Sequence, residues 1–221
     1  MQKRLVRKRH LEMTLSKINP HPSPTASLEQ YTIPPDVAAE MLRIAAYVYD
    51  DIINKTIADL GCGTGRLAIG ALLLGAKKAV GIDIDKTAVK IAKENAKDMS
   101  LQKRVDWVVG DIEILQGHMD TVLQNPPFGV QKRRADRKFL KKALALANVT
   151  YSLHKGGTRN RLFLKKFIEE CGGKVTGVFN LKMSIPRMFE FHTKKSHVFQ
   201  VDLYRIEGEK KCSILNKEAD K

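Results

Sequence analysis

Two spacings of apolar residues alternate along this chain of 221 residues. Short, continuous apolar runs that end at Gly, Asp or Asn are typical of buried strands, and stretches with an apolar residue every three or four positions are typical of helices. Strands that alternate with helices predict an α/β fold with a mostly parallel sheet and helices on both faces. The pattern predicts strands at 56–60, 79–84, 105–109, 120–123 and 149–153, and helices from Pro35 and at 67–74, 86–97, 136–147 and 159–171.

The last part of the chain departs from this alternation. Two β-like runs at 174–181 and 197–206 have no helical pattern between them, so they predict an antiparallel hairpin at the sheet edge and a total of seven strands. One domain is predicted at 28–206. The basic, Pro-rich residues 1–27 predict an arm or a partly ordered helix, and the polar residues 207–221 predict a mobile tail.

The charge of the chain indicates a negatively charged binding partner, because Lys and Arg outnumber Asp and Glu by 15. The excess is concentrated at 1–17, 131–142 and 155–166. One such run also fits a solvated helix face, whereas three favour a nucleic acid. The three cysteines match neither a disulfide framework nor a zinc site, so no metal and a cytoplasmic location are expected. Without an apolar run of ~18 residues or a secretory signal, we expect no membrane association.

A glycine cluster follows the first predicted strand, in the segment DLGCGTG at 59–65. Glycines there let the backbone turn tightly and approach a ligand before a helix begins. A dinucleotide fingerprint would need Gly or Ala at position 66, where this chain has Arg66. The segment instead resembles the first motif of class I S-adenosylmethionine-dependent methyltransferases, which have a Rossmann-like fold and S-adenosyl-L-methionine as cofactor. This resemblance implies that the methionine part of the cofactor contacts Asp59, Gly61, Gly63 and Thr64.

Acidic residues also stand at the ends of the second and third predicted strands. Asp83 follows the glycine cluster by about 20 residues, a separation at which an acid accepts the ribose hydroxyls of a nucleotide. Asp85 is predicted to cap the next helix. The methyltransferase resemblance implies that Asp111 accepts the adenine amino group and that Ile84 and Ile112 pack against the ring.

The segment QNPPFGV at 124–130 ends the fourth predicted strand, because two prolines remove two backbone donors. At the carboxyl ends of the strands, two carbonyls can accept N–H bonds from a planar amino group: that of the Asn125 side chain and that of the Pro126 backbone. Asn125 is also expected to contact the cofactor. Pro127 adds rigidity, and Phe128 can stack on a base for roughly 1–3 kcal/mol. A plain Pro-Pro turn is the alternative. Asn-Pro-Pro-Phe belongs to a motif of amino methyltransferases that act on adenine N6, on some cytosines and guanines, or on a glutamine amide.

Four segments carry a closer resemblance: LEQY at 28–31, NPPFG at 125–129, YSLHK at 151–155 and FHTKKS at 191–196. Together they are similar to the methyltransferase-like protein five family, the adenine-N6 methyltransferases of small-subunit ribosomal RNA. The resemblance implies methyl transfer to adenine N6 of that RNA by an archaeal-type member of the family. It also implies that Gln30, Tyr31 and Thr32 form a lid over the cofactor.

The same resemblance implies partners and leaves two alternatives open. Animal members of the family work with a small zinc-binding activator protein, which is therefore a partner to be tested here. The first alternative is a protein glutamine N5-methyltransferase that uses the same Asn and Pro carbonyls, and the second is a non-catalytic RNA-binding protein with a vestigial cofactor site. RNA contacts are expected from basic side chains, namely Lys132, Arg133, Arg134, Lys155, Arg187, Lys194 and Lys195.

Overall fold

The computed structural model describes residues 5–25, 29, 32–128, 135–186 and 196–208. The described helices are α1 Lys8–Leu15, α2 Pro35–Arg43, α3 Arg66–Leu73, α4 Lys86–Asp98, α5 Ala135–Leu146 and α6 Thr158–Glu170. α2 continues into a π-helical turn at Ile44–Val48, and a 3₁₀ turn lies at Ile112–Ile114. The strands are β1 Thr56–Leu60, β2 Lys78–Asp83, β3 Val105–Val109, β4 Met119–Gln124, β5 Ala147–Lys155, β6 Gly173–Pro186 and β7 Ser196–Gly208. None of the described helices is long and apolar enough to cross a membrane.

The strands form one sheet in the order β3-β2-β1-β4-β5-β7-β6. The first five pair in parallel with their neighbours, whereas β7 runs antiparallel to both β5 and β6. The predicted fold class is therefore confirmed, including the antiparallel pair at the edge. β6 and β7 extend past the predicted bounds to 14 and 13 residues, because alternation continues at Met183, which is buried between exposed Lys182 and Ser184.

Helices cover both faces of the sheet, because each strand directs apolar side chains in two directions. Ile57 of β1 packs in a cluster with residues of α1, α2 and α3. The next residue, Ala58, packs in a second cluster with Ala143 and Leu146 of α5. A third cluster joins α5 and α6 to the outer part of the sheet around Tyr204.

The predicted N-terminal arm contains α1, and this helix packs against the domain. Leu11, Leu15 and Ile18 are buried in the same cluster as Ile57, since they recur at helical spacing on one side of the chain. The basic residues of α1 face outward, so charge and packing occupy opposite sides. The division of the chain after residue 27 stays a prediction, and the predicted tail lies outside the described residues from position 209 onward.

A buried ion pair fastens the antiparallel edge to the rest of the sheet. Arg205 of β7 donates from Nε to Asp51 Oδ2 at 2.8 Å, and Tyr151 of β5 donates its hydroxyl to the same oxygen at 2.7 Å. The Arg205 guanidinium also lies 4.3 Å from the centre of the Tyr49 ring. Burial and the hydrogen bond to Asp51 raise the pKa of Tyr151, which therefore stays a donor.

The strand order reverses at β1, which pairs with β2 on one side and with β4 on the other. In open α/β sheets, ligands bind at such a point, outside the carboxyl ends of the strands. The ends of β1, β2, β3 and β4 share one edge because these strands are parallel. The loops that follow them are therefore brought together.

Candidate active site

The carboxyl ends of β1, β2, β3 and β4 surround a cleft of about 260 Å³. Gln30 and Tyr31 of the predicted lid lie outside the described residues. The cleft combines the glycine loop, the acidic strand ends and the Asn-Pro-Pro-Phe loop. The predicted site residues that line it are Thr32, Asp59, Gly61, Gly63, Thr64, Asp83, Ile84, Asp111, Ile112, Asn125 and Pro127.

The glycine loop after β1 has a backbone conformation that favours glycine. Gly61, Gly63 and Gly65 have φ angles of 68°, 52° and 87°, in the left-handed region. A Cβ on Gly61 would also lie 2.9 Å from the Phe139 ring, which is too close for van der Waals contact. The N–H of Gly63 donates to Asp83 Oδ2 at 2.8 Å. The loop is therefore held against the acid of β2.

Asp59 lines the cleft although it is only 1% exposed. One of its oxygens accepts the N–H of Ala68 in α3 at 2.9 Å. Burial, opposed by this hydrogen bond and assisted by the charge of Asp83, raises the pKa of Asp59 to about 7. A cation beside Asp59 would favour the ionised carboxylate, so this position suits the ammonium group of an amino acid.

Asp83 accepts two backbone hydrogen bonds at the end of β2. The N–H of Gly63 reaches Oδ2 at 2.8 Å, and the N–H of Asp85 reaches Oδ1 at 2.9 Å. Burial raises the pKa of Asp83 in spite of these bonds. Each oxygen keeps a second lone pair, so the side chain can still accept two hydroxyl groups. Asp85 accepts the N–H groups of Thr87 and Ala88, which confirms the predicted cap of α4.

At the end of β3, both oxygens of Asp111 contact Nζ of Lys138 in α5, at 2.7 and 2.6 Å. Sequence reasoning missed this pair, because 27 residues separate its members. Ile84 is exposed and Ile112 is buried, and both line the cleft. This end of the cleft therefore offers two apolar side chains and an acid that a lysine holds in place.

The Asn-Pro-Pro-Phe loop contributes unequally to the cleft. Asn125 and Pro127 line it, whereas Pro126 is buried. Phe128 is not among the lining residues and packs edge-on against Phe199 of β7, with ring centres 5.8 Å apart and planes at 89°. The stacking role of Phe128 stays a prediction, and Phe199 is a neighbour that sequence reasoning missed.

A row of buried polar side chains supports the start of this loop. Gln124 donates to Ser152 Oγ at 2.9 Å, and that hydroxyl lies 2.7 Å from Nε2 of His154. Burial lowers the pKa of His154 to about 3, against the charge of Asp202. The imidazole is therefore neutral at physiological pH and acts as a hydrogen-bonding support rather than as a proton carrier.

Further lining residues lie next to the predicted motifs or on other elements. His21, in the predicted arm, has its Nε2 3.1 Å from Asp85 Oδ2. Arg66 stands out in the sequence only as a departure from the dinucleotide fingerprint, which is a weak signal for a site residue. The lining residues that sequence reasoning missed include His21, Glu29, Ile33, Arg66, Lys138 and Phe139.

Among the predicted RNA contacts, Lys155 lies within the described residues and is exposed at the end of β5. β5 pairs in parallel with β4, with Ser152 opposite Gln124, so Lys155 lies at the same sheet edge as the cleft. Its position is compatible with contact to a substrate that enters there. The other predicted RNA contacts, Lys132, Arg133, Arg134, Arg187, Lys194 and Lys195, lie outside the described residues.

Proteins similar to this chain match it along nearly its whole length. An uncharacterized protein of Methanocaldococcus jannaschii is 44% identical over 215 residues, which cover 92% of this chain and 95% of that protein. The rRNA N(6)-adenosine-methyltransferase Mettl5 of Drosophila melanogaster is 39% identical over 206 residues, which cover 90% of this chain and 95% of the relative. A crystal structure of a candidate RNA methyltransferase from Pyrococcus horikoshii has a TM-score of 0.86 at 40% identity, and the match covers 93% of this chain and 99% of that one.

A family model described as ribosomal protein L11 methyltransferase (PrmA) matches residues 43–126. That match includes β1 to β4, the glycine loop and the first two residues of the Asn-Pro-Pro-Phe loop, but neither α5 nor the antiparallel edge. The similarity to the Drosophila protein includes those elements as well, because it extends over 90% of this chain. The chain therefore belongs to the Mettl5 family of rRNA N(6)-adenosine-methyltransferases.

Proposed function

We propose that this chain transfers a methyl group from S-adenosyl-L-methionine to N6 of an adenine in small-subunit ribosomal RNA. The observation that carries the proposal is the meeting of two loops, because Asn125 and Pro127 line the same cleft as Gly61 and Gly63. An amino group held by the first loop would face a cofactor held by the second. Methyl transfer needs this arrangement of acceptor and donor.

The residues of the cleft suit the cofactor in charge and in hydrogen bonding. Asp59 suits its ammonium group, Asp83 its ribose hydroxyls, and Asp111 the amino group of its adenine. Thr64 Oγ1 is buried without a hydrogen-bond partner among the described residues, and a bound ligand would supply one. When bound, S-adenosyl-L-methionine supplies a methyl group on a sulfonium ion and leaves as S-adenosyl-L-homocysteine.

Asn125 and Pro126 position the acceptor nitrogen. The side-chain carbonyl of Asn125 and the backbone carbonyl of Pro126 each accept one N–H bond, which orients the nitrogen lone pair toward the methyl group. Holding two reactants in such a geometry lowers the barrier by several kcal/mol. Phe128 stacks on the base, and the two prolines limit the entropy lost when these groups converge. The nitrogen releases its proton to water after it has become cationic, so a strong base is not required.

Two observations support RNA rather than protein as the acceptor. The Drosophila relative, 95% of which is covered by the match, is named as an rRNA N(6)-adenosine-methyltransferase. The net charge of +15 suits a polyanion. An unpaired adenine in RNA also costs little to extrude from its surroundings.

We further infer an archaeal-type member of the Asn-Pro-Pro-Phe group that works in the cytoplasm. The 44% identity to the Methanocaldococcus jannaschii protein supports the archaeal type. A small zinc-binding activator protein is proposed as a partner at β3. This strand ends the sheet, and Val109 and Ile114 nearby are 48% and 58% exposed, so its outer edge offers both backbone groups and apolar side chains.

Incubation with labelled S-adenosyl-L-methionine and unmethylated small-subunit ribosomal RNA, followed by nucleoside analysis, tests the activity. Label is expected in N6-methyladenosine. Label recovered in a protein glutamine would contradict the RNA assignment and favour the N5-methyltransferase alternative. Failure of the protein to bind the cofactor in calorimetry would favour the non-catalytic alternative.

Asn125→Ala tests the assigned mechanism in the same assay. Loss of one oriented carbonyl is expected to lower the turnover by at least about 100-fold, by comparison with the loss of one preorganised hydrogen bond in other active sites. The affinity for S-adenosyl-L-homocysteine should change much less. Asn148→Ala, at an exposed position near the start of β5, is the matched control and should keep full activity. An Asn125→Ala enzyme with the wild-type rate would refute the role of this residue.

A further inference from the structure

Arg66 is a charged residue of the cleft that the mechanism above does not use. It is the first residue of α3, directly after the glycine loop, and it is 8% exposed although it lines the cleft. Its Nη1 donates to the backbone carbonyl of Ile33 at 2.5 Å. Its Nε is buried and has no hydrogen-bond partner in the part of the chain that the structure describes.

Among the described residues, no carboxylate forms an ion pair with Arg66. Burial lowers the pKa of Arg66 to about 10, and no acidic group of the described residues offsets this shift. The side chain still carries its charge at neutral pH. Burial of a cation without a counter-ion is unfavourable, so a ligand that brings a negative charge into the cleft would be bound strongly.

The guanidinium of Arg66 has one edge available for such a ligand. Because Nη1 is occupied by the Ile33 carbonyl, the edge formed by Nε and Nη2 remains, and a carboxylate binds an edge of this kind through two parallel N–H bonds. Thr64, two residues earlier, also has a buried hydroxyl without a partner among the described residues. Asp59 lines the same cleft with the opposite charge. The cleft thus has a cation and an anion for the zwitterionic end of an amino acid.

We propose that Arg66 binds the α-carboxylate of the methionine part of the cofactor and makes the site selective for S-adenosyl-L-methionine over its decarboxylated form. The inference rests on the proposed function, because it takes this cleft to be the cofactor site. Asp59 attracts the ammonium group that both forms contain, and Arg66 recognises the carboxylate that only one of them contains. A ligand without the carboxylate leaves the guanidinium edge unpaired, which is the stronger basis for discrimination.

Calorimetric titration of the full-length protein with S-adenosyl-L-methionine and with decarboxylated S-adenosylmethionine tests this assignment. The wild-type protein is expected to prefer the carboxylated ligand. Arg66→Leu should weaken binding of S-adenosyl-L-methionine by about 10- to 100-fold, the effect of losing a hydrogen-bonded charge pair. Its affinity for the decarboxylated ligand should stay within about threefold of wild type, because that ligand makes no contact with the guanidinium. The affinity of Arg66→Lys for S-adenosyl-L-methionine should lie between those of the wild type and of Arg66→Leu, since lysine keeps the charge but loses the two parallel bonds.

Arg104→Leu is the matched control for the hydrogen bond that Arg66 donates to a backbone carbonyl. Arg104 also donates from its guanidinium to a backbone carbonyl, that of Ala76, and it does not line the cleft. This variant should bind both ligands as the wild type does. Equal weakening of both ligands by Arg66→Leu would overturn the proposal and leave Arg66 as a support for Ile33. Unchanged affinity for both would place the carboxylate elsewhere, whereas a wild-type protein that binds neither ligand would reject the proposed function itself.

Discussion

The carboxyl group of Asp59 gains or loses its proton close to neutral pH, because burial raises its pKa to about 7. The ionised form attracts the ammonium group of the cofactor, and the protonated form does not. The ionised fraction rises about eightfold between about pH 6 and about pH 7.5, so the affinity for S-adenosyl-L-homocysteine should rise by a similar factor. Isothermal titration calorimetry at constant ionic strength measures this dependence.

Asp59→Asn provides the control for this titration, because it keeps the size of the side chain and replaces the ionisable carboxyl with an amide that does not titrate. The variant should bind the ligand weakly, with an affinity that changes by less than about twofold over the same range. Asp83 also has a raised pKa and bonds the same glycine loop. A variant profile as steep as that of the wild type would assign the titration to another group and contradict the prediction for Asp59.

At the scale of elements, the repeating apolar pattern was sufficient wherever local burial determines the structure. The predicted bounds of β1 and β3 coincide with the observed ones, because both are short apolar runs. Helix α4 extends one residue past its prediction, because its apolar residues recur at the spacing of one buried helix face. The outer ends of β6 and β7 depend on pairing with each other, as at Pro186 and Ser196. Part of the β6 extension has a local signal in the alternation at Met183, whereas the pairing of the two outer ends leaves none.

The candidate site shows the same division between local and tertiary information. Asp59, Asp83 and Asn125 could be predicted because each ends or follows a strand, and parallel strands bring their carboxyl ends to one edge. Lys138 and Phe199 could not be predicted in this way. Packing of α5 brings Lys138 to the cleft, and packing of β7 brings Phe199 to Phe128. Motif spacing and the family resemblance therefore predicted the cofactor contacts at the strand ends, whereas Arg66 and the residues that hold the loops in place required the structure.

The ion pair between Asp51 and Arg205 should determine how firmly the antiparallel edge is attached. Both side chains are largely buried, so Arg205→Met would leave the Asp51 carboxylate without its counter-ion. We predict a loss of about 3–5 kcal/mol in the free energy of unfolding, as for other buried pairs that lose one partner. Chemical denaturation followed by circular dichroism measures this loss.

The exposed pair between Lys78 and Asp106 is the matched control, because its 2.6 Å separation is similar and both side chains are more than half exposed. Lys78→Ala should cost less than about 1 kcal/mol, since solvent screens an exposed pair. The double variant Asp51→Asn with Arg205→Met should lose less than the sum of the single losses. Equal losses at the buried and the exposed pair would contradict the anchoring role.

For the whole molecule, the net charge of +15 has consequences for RNA binding that differ from those for cofactor binding. Basic side chains that neutralise phosphates release counter-ions, so the affinity for RNA should fall steeply with salt. Four to six phosphate contacts would lower it by roughly 50- to 300-fold between about 50 mM and about 200 mM salt. Cofactor binding neutralises no row of phosphates, so the affinity for the cofactor should change by less than about threefold over the same salt range.

Lys155 and Lys78 allow this prediction to be tested at opposite ends of the parallel strands. Lys155 is exposed at the carboxyl end of β5, beside the cleft, whereas Lys78 is exposed at the amino end of β2. Lys155→Ala should reduce the slope of log affinity against log salt by about 0.7, the share of one phosphate contact with a single strand, and Lys78→Ala should leave the slope unchanged. Fluorescence anisotropy with a labelled RNA fragment over a salt series measures both slopes. Equal slopes for the two variants would show that RNA does not distinguish the cleft edge from the opposite one, and the RNA would then bind through charge without regard to the active site.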